Sequence, residues 1–89
     1  MALLIRTTKK WLAVKISIEE ITKAFPGSLF LCDHTNNPLF GECYYIPVLN
    51  HILSKEAYEE WLSTTKYYAS DVPVETKNLK YLKTKIKVF

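Results

Sequence analysis

Two short runs rich in apolar residues open the chain and predict two β-strands. The first is Ala2–Arg6 (ALLIR), and the second is Trp11–Ile16 (WLAVKI), which holds the β-branched and aromatic residues that strands favour. The polar stretch Thr7–Lys10 lies between them. We therefore expect either a hairpin or two successive strands at the N-terminal end.

A short helix is predicted directly after the second strand. Ser17 offers the side-chain oxygen of an N-cap, and Glu20 stands three residues later, as in a capping box. Apolar residues then recur at the spacing of one helix face: Ile18, Ile21 and Phe25. The dipeptide Pro26–Gly27 ends the pattern, so we expect the helix to stop there.

The middle of the chain has the pattern of a β-hairpin. Leu29–His34 and Phe40–Val48 have the composition of strands, and Thr35–Pro38 between them consists of residues typical of turns. A loop that closes at the centre of this turn would place Cys32 directly opposite Cys43, on one face of the hairpin. We therefore expect these two thiols to be in contact.

A second helix is predicted after an ambiguous stretch at Leu49–Leu53, which fits either a loop or a short helical turn. Ser54 is a good N-cap, and the helix should run from Lys55 to about Tyr67, before a connector at Ala69–Pro73. Its apolar face has the expected periodicity: Tyr58, Trp61, Leu62, Thr65 and Tyr68.

The C-terminal segment fits two periodicities. Four apolar residues have helical spacing: Leu79, Leu82, Ile86 and Phe89. Lys83–Val88 instead alternates between lysine and Thr, Ile or Val, which is typical of a strand with one face in water. We predict a strand over Tyr81–Val88.

These elements occur in the order ββαββαβ and predict one α+β domain spanning residues 1–89. We expect a mostly antiparallel sheet of four or five strands with two helices on one face. Without its first strand, the order resembles the split βαββαβ arrangement of ferredoxin-like domains. RNA-recognition domains share that topology, but Glu42 and Cys43 stand where their aromatic signature would be.

Composition supports a folded chain without a membrane span, since even the uncharged run Cys43–Leu53 is short. That run is much shorter than the roughly 20 residues that cross a bilayer. The apolar start, Met1–Ile5, is also too short for a secretory signal and is followed by Arg6. We expect a cytoplasmic protein with reduced cysteines and no contact with membranes.

The charge of +3 is unevenly distributed along the chain. Residues 1–15 carry +4, residues 76–89 carry +5, and neither segment contains an acid, whereas residues 16–75 carry −6. If the two ends are neighbours, their lysines form one basic surface, for which six residues are the candidates: Lys9, Lys10, Lys15, Lys83, Lys85 and Lys87. Three aromatic residues lie among them: Trp11, Tyr81 and Phe89.

Such a surface suits a small non-enzymatic interaction or regulatory protein that binds an acidic partner protein. Lysines and aromatic residues also suit nucleic acid, RNA or single-stranded DNA, bound without sequence specificity. Lysine outnumbers arginine eleven to one, which disfavours sequence-specific reading of DNA. Lysines on an edge strand can also serve only to prevent aggregation. Homodimerisation through an exposed edge strand is a further hypothesis.

The cysteines and histidines allow a second kind of site. A zinc ion bound by Cys32, His34, Cys43 and His51 has suitable ligand types, although the spacing lacks the close Cys and His pairs of common zinc motifs. A disulfide, a cysteine nucleophile next to a histidine, and two simple core residues are the alternatives. We favour core residues, and we predict no catalytic residue, metal or cofactor.

Overall fold

A four-stranded antiparallel sheet forms the centre of the protein in the computed structural model, which describes residues 1–89. Its strands are β1 (Leu3–Arg6), β2 (Leu12–Ser17), β3 (Glu42–Ile46) and β4 (His51–Leu53), and they lie side by side in chain order. Three helices complete an α+β domain, and the predicted fold class is confirmed.

The three helices are α1 (Ile18–Ala24), α2 (Lys55–Thr64) and α3 (Val72–Lys85), with a 3₁₀ turn at 69–71 before the last. Both predicted N-caps are confirmed. The Ser17 hydroxyl accepts a hydrogen bond from the Glu20 N–H at 3.1 Å, and the Ser54 hydroxyl accepts one from the Ala57 N–H at 3.2 Å. None of the three helices is long and apolar enough to cross a membrane.

The helices cover both faces of the sheet. Tyr44 and Tyr45 are neighbours on β3, so their side chains point to opposite faces. Tyr44 stacks on Tyr58 of α2, with ring centroids 4.1 Å apart. Tyr45 instead faces a cavity bordered by α1 and α3. Two helices therefore share one face, as predicted, but the second of them is α3.

The predicted strand at Tyr81–Val88 is wrong, because α3 continues to Lys85. Pro73 is well placed in the first turn of this helix, where its missing N–H costs nothing. Leu79, Leu82 and Ile86 are buried, so the helical periodicity prevails over the alternation of lysines. The observed order is ββαββαα, so the last strand of the predicted ββαββαβ order is absent.

The predicted central hairpin is also wrong. Residues 29–34 form no strand, and only an isolated bridge joins Leu31 to Pro38. Cys43 lies opposite Ile16 of β2, not opposite Cys32. The hairpin in this part of the chain joins β3 to β4 through residues 47–50, where Asn50 adopts the left-handed conformation (φ 54°) that a tight turn needs.

The two ends of the chain are neighbours. Val88 pairs with Ala2 in a parallel bridge. The Leu4 N–H donates to the Phe89 carbonyl at 2.8 Å, and the Phe89 N–H donates to the Ala2 carbonyl at 2.9 Å. The last residues of the chain therefore lie along the outer edge of β1.

Candidate functional site

The end of α3 and the residues after it form an exposed surface of lysines and aromatic rings. We name it the C-terminal basic surface and define it by five residues: Tyr81, Lys83, Lys85, Lys87 and Phe89. Lys83 lies two positions before Lys85 on α3 and therefore projects from another side of the helix end. The ammonium group of Lys85 lies 6.0 Å from the centre of the Tyr81 ring, and that of Lys87 lies 5.1 Å from the Phe89 ring. Tyr81 is 58% exposed and Phe89 is 57% exposed.

No carboxylate neutralises these three lysines. The protein has two ion pairs: Lys15 with Glu42 at 3.6 Å, and the N-terminal ammonium group with Glu20. The ammonium groups of Lys83, Lys85 and Lys87 therefore have no acidic partner within the protein. Positive charge at this surface remains available to a partner.

The other three candidate lysines do not join this surface. Lys9 and Lys10 lie in the turn between β1 and β2, at the opposite end of a strand that spans roughly 10 Å. Lys10 lies against Tyr67 at 5.6 Å. Lys15 points to the face of the sheet that carries Tyr44 and α2, away from α3, and is already paired with an acid.

Trp11 has no place at this surface either, because it is only 2% exposed. Its indole N–H donates to the Lys66 carbonyl at 3.0 Å, and its ring lies 4.7 Å from that of Tyr67. Trp11 is a core residue that ties the start of β2 to the segment after α2.

A mostly apolar cavity of about 490 Å³ adjoins the C-terminal basic surface. Tyr45 and Ile52 of the sheet form its floor, and its walls come from α1, α3 and the segment 28–36. Tyr81 lines this cavity and also lies beneath Lys85. The volume is within the range of small-molecule and anchor-residue pockets.

Part of the cavity lining is polar. The Tyr45 hydroxyl donates to Oδ1 of Asn50 at 2.7 Å, and burial raises the pKa of Tyr45 to about 12, so this phenol stays neutral. Asp33 is the only charged residue in the lining. Its Oδ2 accepts from the Ile52 N–H at 2.6 Å, and its backbone N–H donates to the Ile52 carbonyl at 3.0 Å, whereas its Oδ1 has no hydrogen bond within the protein.

This cavity was not predicted from the sequence, because its walls come from three separate segments. The one available signal was Leu29, an apolar residue two positions after the helix stop at Pro26–Gly27. It is 84% exposed at the rim of the cavity. Exposed apolar residues at a concave surface mark binding sites more often than isolated ones do.

Of the four candidate zinc ligands, Cys32, His34 and His51 lie close to β4, whereas Cys43 lies on β3. The His34 and His51 rings meet edge to face, with centroids 5.6 Å apart, and Nδ1 of His51 is buried without a hydrogen-bond partner. The Cys32 sulfur accepts from the Ser54 N–H at 3.4 Å. Cys43 instead donates to the Ile16 carbonyl at 3.3 Å, and no three such side chains are arranged to hold a metal ion.

The pKa values of the two thiols are shifted in opposite directions. Burial opposes ionisation of Cys32, but hydrogen bonds from the Thr35 side chain and from the backbone of Ser54, His34 and Thr35 outweigh it and lower the pKa of the thiol to about 7. Burial, together with the charge of Glu42, raises the pKa of the Cys43 thiol to about 12. Both cysteines are free and buried.

A Cys43→Ala variant, in which Cys32 is the only thiol, is expected to show thiolate ultraviolet absorbance with a midpoint near pH 7. The folded pKa lies below the unfolded value, so the thiolate stabilises the fold fully above pH 9, and this contribution disappears as the pH falls through 7. The matched variant Cys32→Ala should show no thiolate absorbance up to about pH 10. A midpoint near 9 in the first variant would contradict the proposed hydrogen bonding.

No family model matches the chain, and neither a curated protein nor a solved structure matches it. Its function must therefore be inferred from its own side chains.

Proposed function

We propose that the protein is a small non-enzymatic interaction or regulatory module that binds an acidic partner protein through the C-terminal basic surface. The observation that carries this proposal is that Lys85 and Lys87, which have no acidic partner, lie over the exposed rings of Tyr81 and Phe89. Unpaired lysines on one surface steer an acidic partner toward it and favour the encounter. Lys9 and Lys10 would support binding at longer range, through the net field of the protein.

Tyr81 and Phe89 add contact area to this charge. Aromatic residues are frequent anchors in protein interfaces because they bury a large area at a small entropic cost. Both rings are more than half exposed, and each lies beneath a lysine ammonium group. An acidic partner can therefore meet the lysines with its carboxylates and the rings with its apolar atoms.

Nucleic acid is the second candidate, and the same exposed rings favour it. Bases of single-stranded nucleic acid stack on aromatic side chains, while lysines follow the phosphates. The surface contains no arginine, the residue on which specific reading of bases mostly depends, so we expect no sequence specificity. We rank this function just after protein binding, and binding would not depend on sequence.

We place the module in the cytoplasm as part of the same proposal. Free thiols at Cys32 and Cys43 agree with a reducing compartment, where cysteines stay unpaired. An active site is not part of the proposal, because the buried Cys32 sulfur is hydrogen-bonded to Ser54 and not to a histidine side chain.

The test compares two triple variants, Lys83→Ala/Lys85→Ala/Lys87→Ala and Lys23→Ala/Lys55→Ala/Lys66→Ala, which change net charge equally. Polyglutamate and a single-stranded oligodeoxythymidine are titrated against each by fluorescence anisotropy. The first variant should bind polyglutamate about tenfold more weakly than the native protein, because three contacts at roughly 0.5 kcal/mol each are lost. The second should bind within about twofold of the native protein.

Salt then separates the two partner classes. If phosphates are the natural target, oligodeoxythymidine should bind more tightly than polyglutamate, and log K should fall steeply with log salt, by about 0.7 per phosphate contact. Equal losses in both triple variants would show that only net charge matters, and the C-terminal basic surface would not be a site.

A further inference from the structure

The cavity beside Tyr81 and the C-terminal basic surface are continuous. Tyr81 belongs to both, since it lines the cavity and lies beneath the Lys85 ammonium group. Its ring centroid is also 6.4 Å from that of Phe25, which lies in the cavity wall. A peptide segment that contacts Lys85 therefore lies beside the cavity.

The chemistry of the cavity is asymmetric. Tyr81 and Leu82 of α3 give it an apolar wall beside the positive charge of Lys85, whereas Asp33, Asn36 and Asn50 supply polar groups elsewhere in the lining. Asp33 is exposed, and its Oδ1 has no hydrogen bond within the protein. The neutral Tyr45 phenol uses its proton on Asn50, so it does not compete for Asp33.

This asymmetry selects the side chain that would enter. An apolar body fits the walls, and a hydrogen-bond donor at its tip would complement the Asp33 carboxylate. A carboxylate there would be repelled by Asp33, so the acidic groups of the partner must lie outside, on the Lys85 side. Tryptophan and tyrosine combine an apolar body with an N–H or O–H donor and are enriched among interface anchors.

We propose that the cavity binds the tryptophan or tyrosine side chain of an acidic peptide segment, whose carboxylates contact Lys85. This inference rests on the proposed function and adds the motif that the partner carries: an aromatic donor flanked by Asp or Glu. The anchor would bury its ring between Phe25, Tyr81 and Ile52. Its N–H or O–H would donate to Asp33.

The first part of the test is selection of a random peptide library, displayed on phage, against the full-length protein. Enriched peptides should share Trp or Tyr with neighbouring acids. Acidic peptides with no shared aromatic residue would overturn the anchor and leave the proposed function standing. Aromatic peptides with no excess of acids would overturn the proposed function, and no enrichment over an unrelated protein would overturn both.

The second part uses two matched variants with a selected peptide. Leu29→Glu alters the rim of the cavity, and Phe40→Glu makes the same charge change outside it; these side chains are 84% and 83% exposed, so neither supports the core. The peptide should bind Leu29→Glu about tenfold more weakly and Phe40→Glu within about twofold of the native protein. Equal affinities for the two variants would place the anchor elsewhere.

Discussion

Replacing Trp11 with alanine is expected to lower the free energy of unfolding by about 3–5 kcal/mol. The ring is 2% exposed, so its removal leaves a large cavity in the core. The loss also frees the Lys66 carbonyl, which accepts the indole N–H at 3.0 Å, and removes the contact with Tyr67. Chemical denaturation followed by far-ultraviolet circular dichroism measures the change. A domain of this size is stable by only about 5–15 kcal/mol.

Trp11→Phe is the matched control for this prediction. Phenylalanine retains most of the apolar volume and loses the N–H, so the expected loss is about 1–2 kcal/mol. A loss below about 1 kcal/mol in the alanine variant would show that the ring does not join the start of β2 to the segment after α2.

Replacing Glu75 with alanine is expected to cost about 1–3 kcal/mol, although glutamate is usually a surface residue. Glu75 is 4% exposed in the first turn of α3, and its Oε2 accepts the Leu12 N–H at 2.8 Å. Without the carboxylate, this N–H at the start of β2 has lost its partner. The position in the first helical turn also favours negative charge, because of the helix dipole.

Glu75→Gln separates these two contributions. The amide oxygen can still accept from Leu12, so the loss should be smaller than in the alanine variant, and the difference between the variants measures the hydrogen bond. Thermal unfolding of both, at equal salt, provides the comparison. Equal stability of the alanine variant and the native protein would mean that α3 is not held to β2 through this contact.

Local hydrogen bonding was the part of the fold that the sequence predicted best. The caps at Ser17 and Ser54 depend on residues only three positions apart, so they are visible in a short window. The prediction of a hairpin at 29–48 failed because β3 pairs with β2 and β4, and no strand flanks the turn at 35–38. Asn50 was the available signal, since it tolerates the left-handed conformation of the true turn.

The C-terminal segment shows why local patterns compete. Lysines at 83, 85 and 87 alternate like the wet face of a strand, but they remain exposed at the end of a helix as well. Burial of Leu79, Leu82 and Ile86 against the sheet decides between the two, and that is a tertiary contact. Because this segment is helical, Lys85 lies over Tyr81, four residues earlier. The sequence had indicated this surface only as a cluster of charges.

The paired contact between Asp33 and Ile52 has a consequence for self-association of the sheet. Ile52 is the central residue of the three-residue strand β4, and both of its backbone groups are engaged by Asp33. On the opposite side, residues 88–89 cover β1 as far as Leu4, and strand alternation leaves Arg6 as the next outward-facing residue. A neighbouring molecule that extended the sheet from the uncovered part of β1 would have to pair beside the positively charged side chain of Arg6.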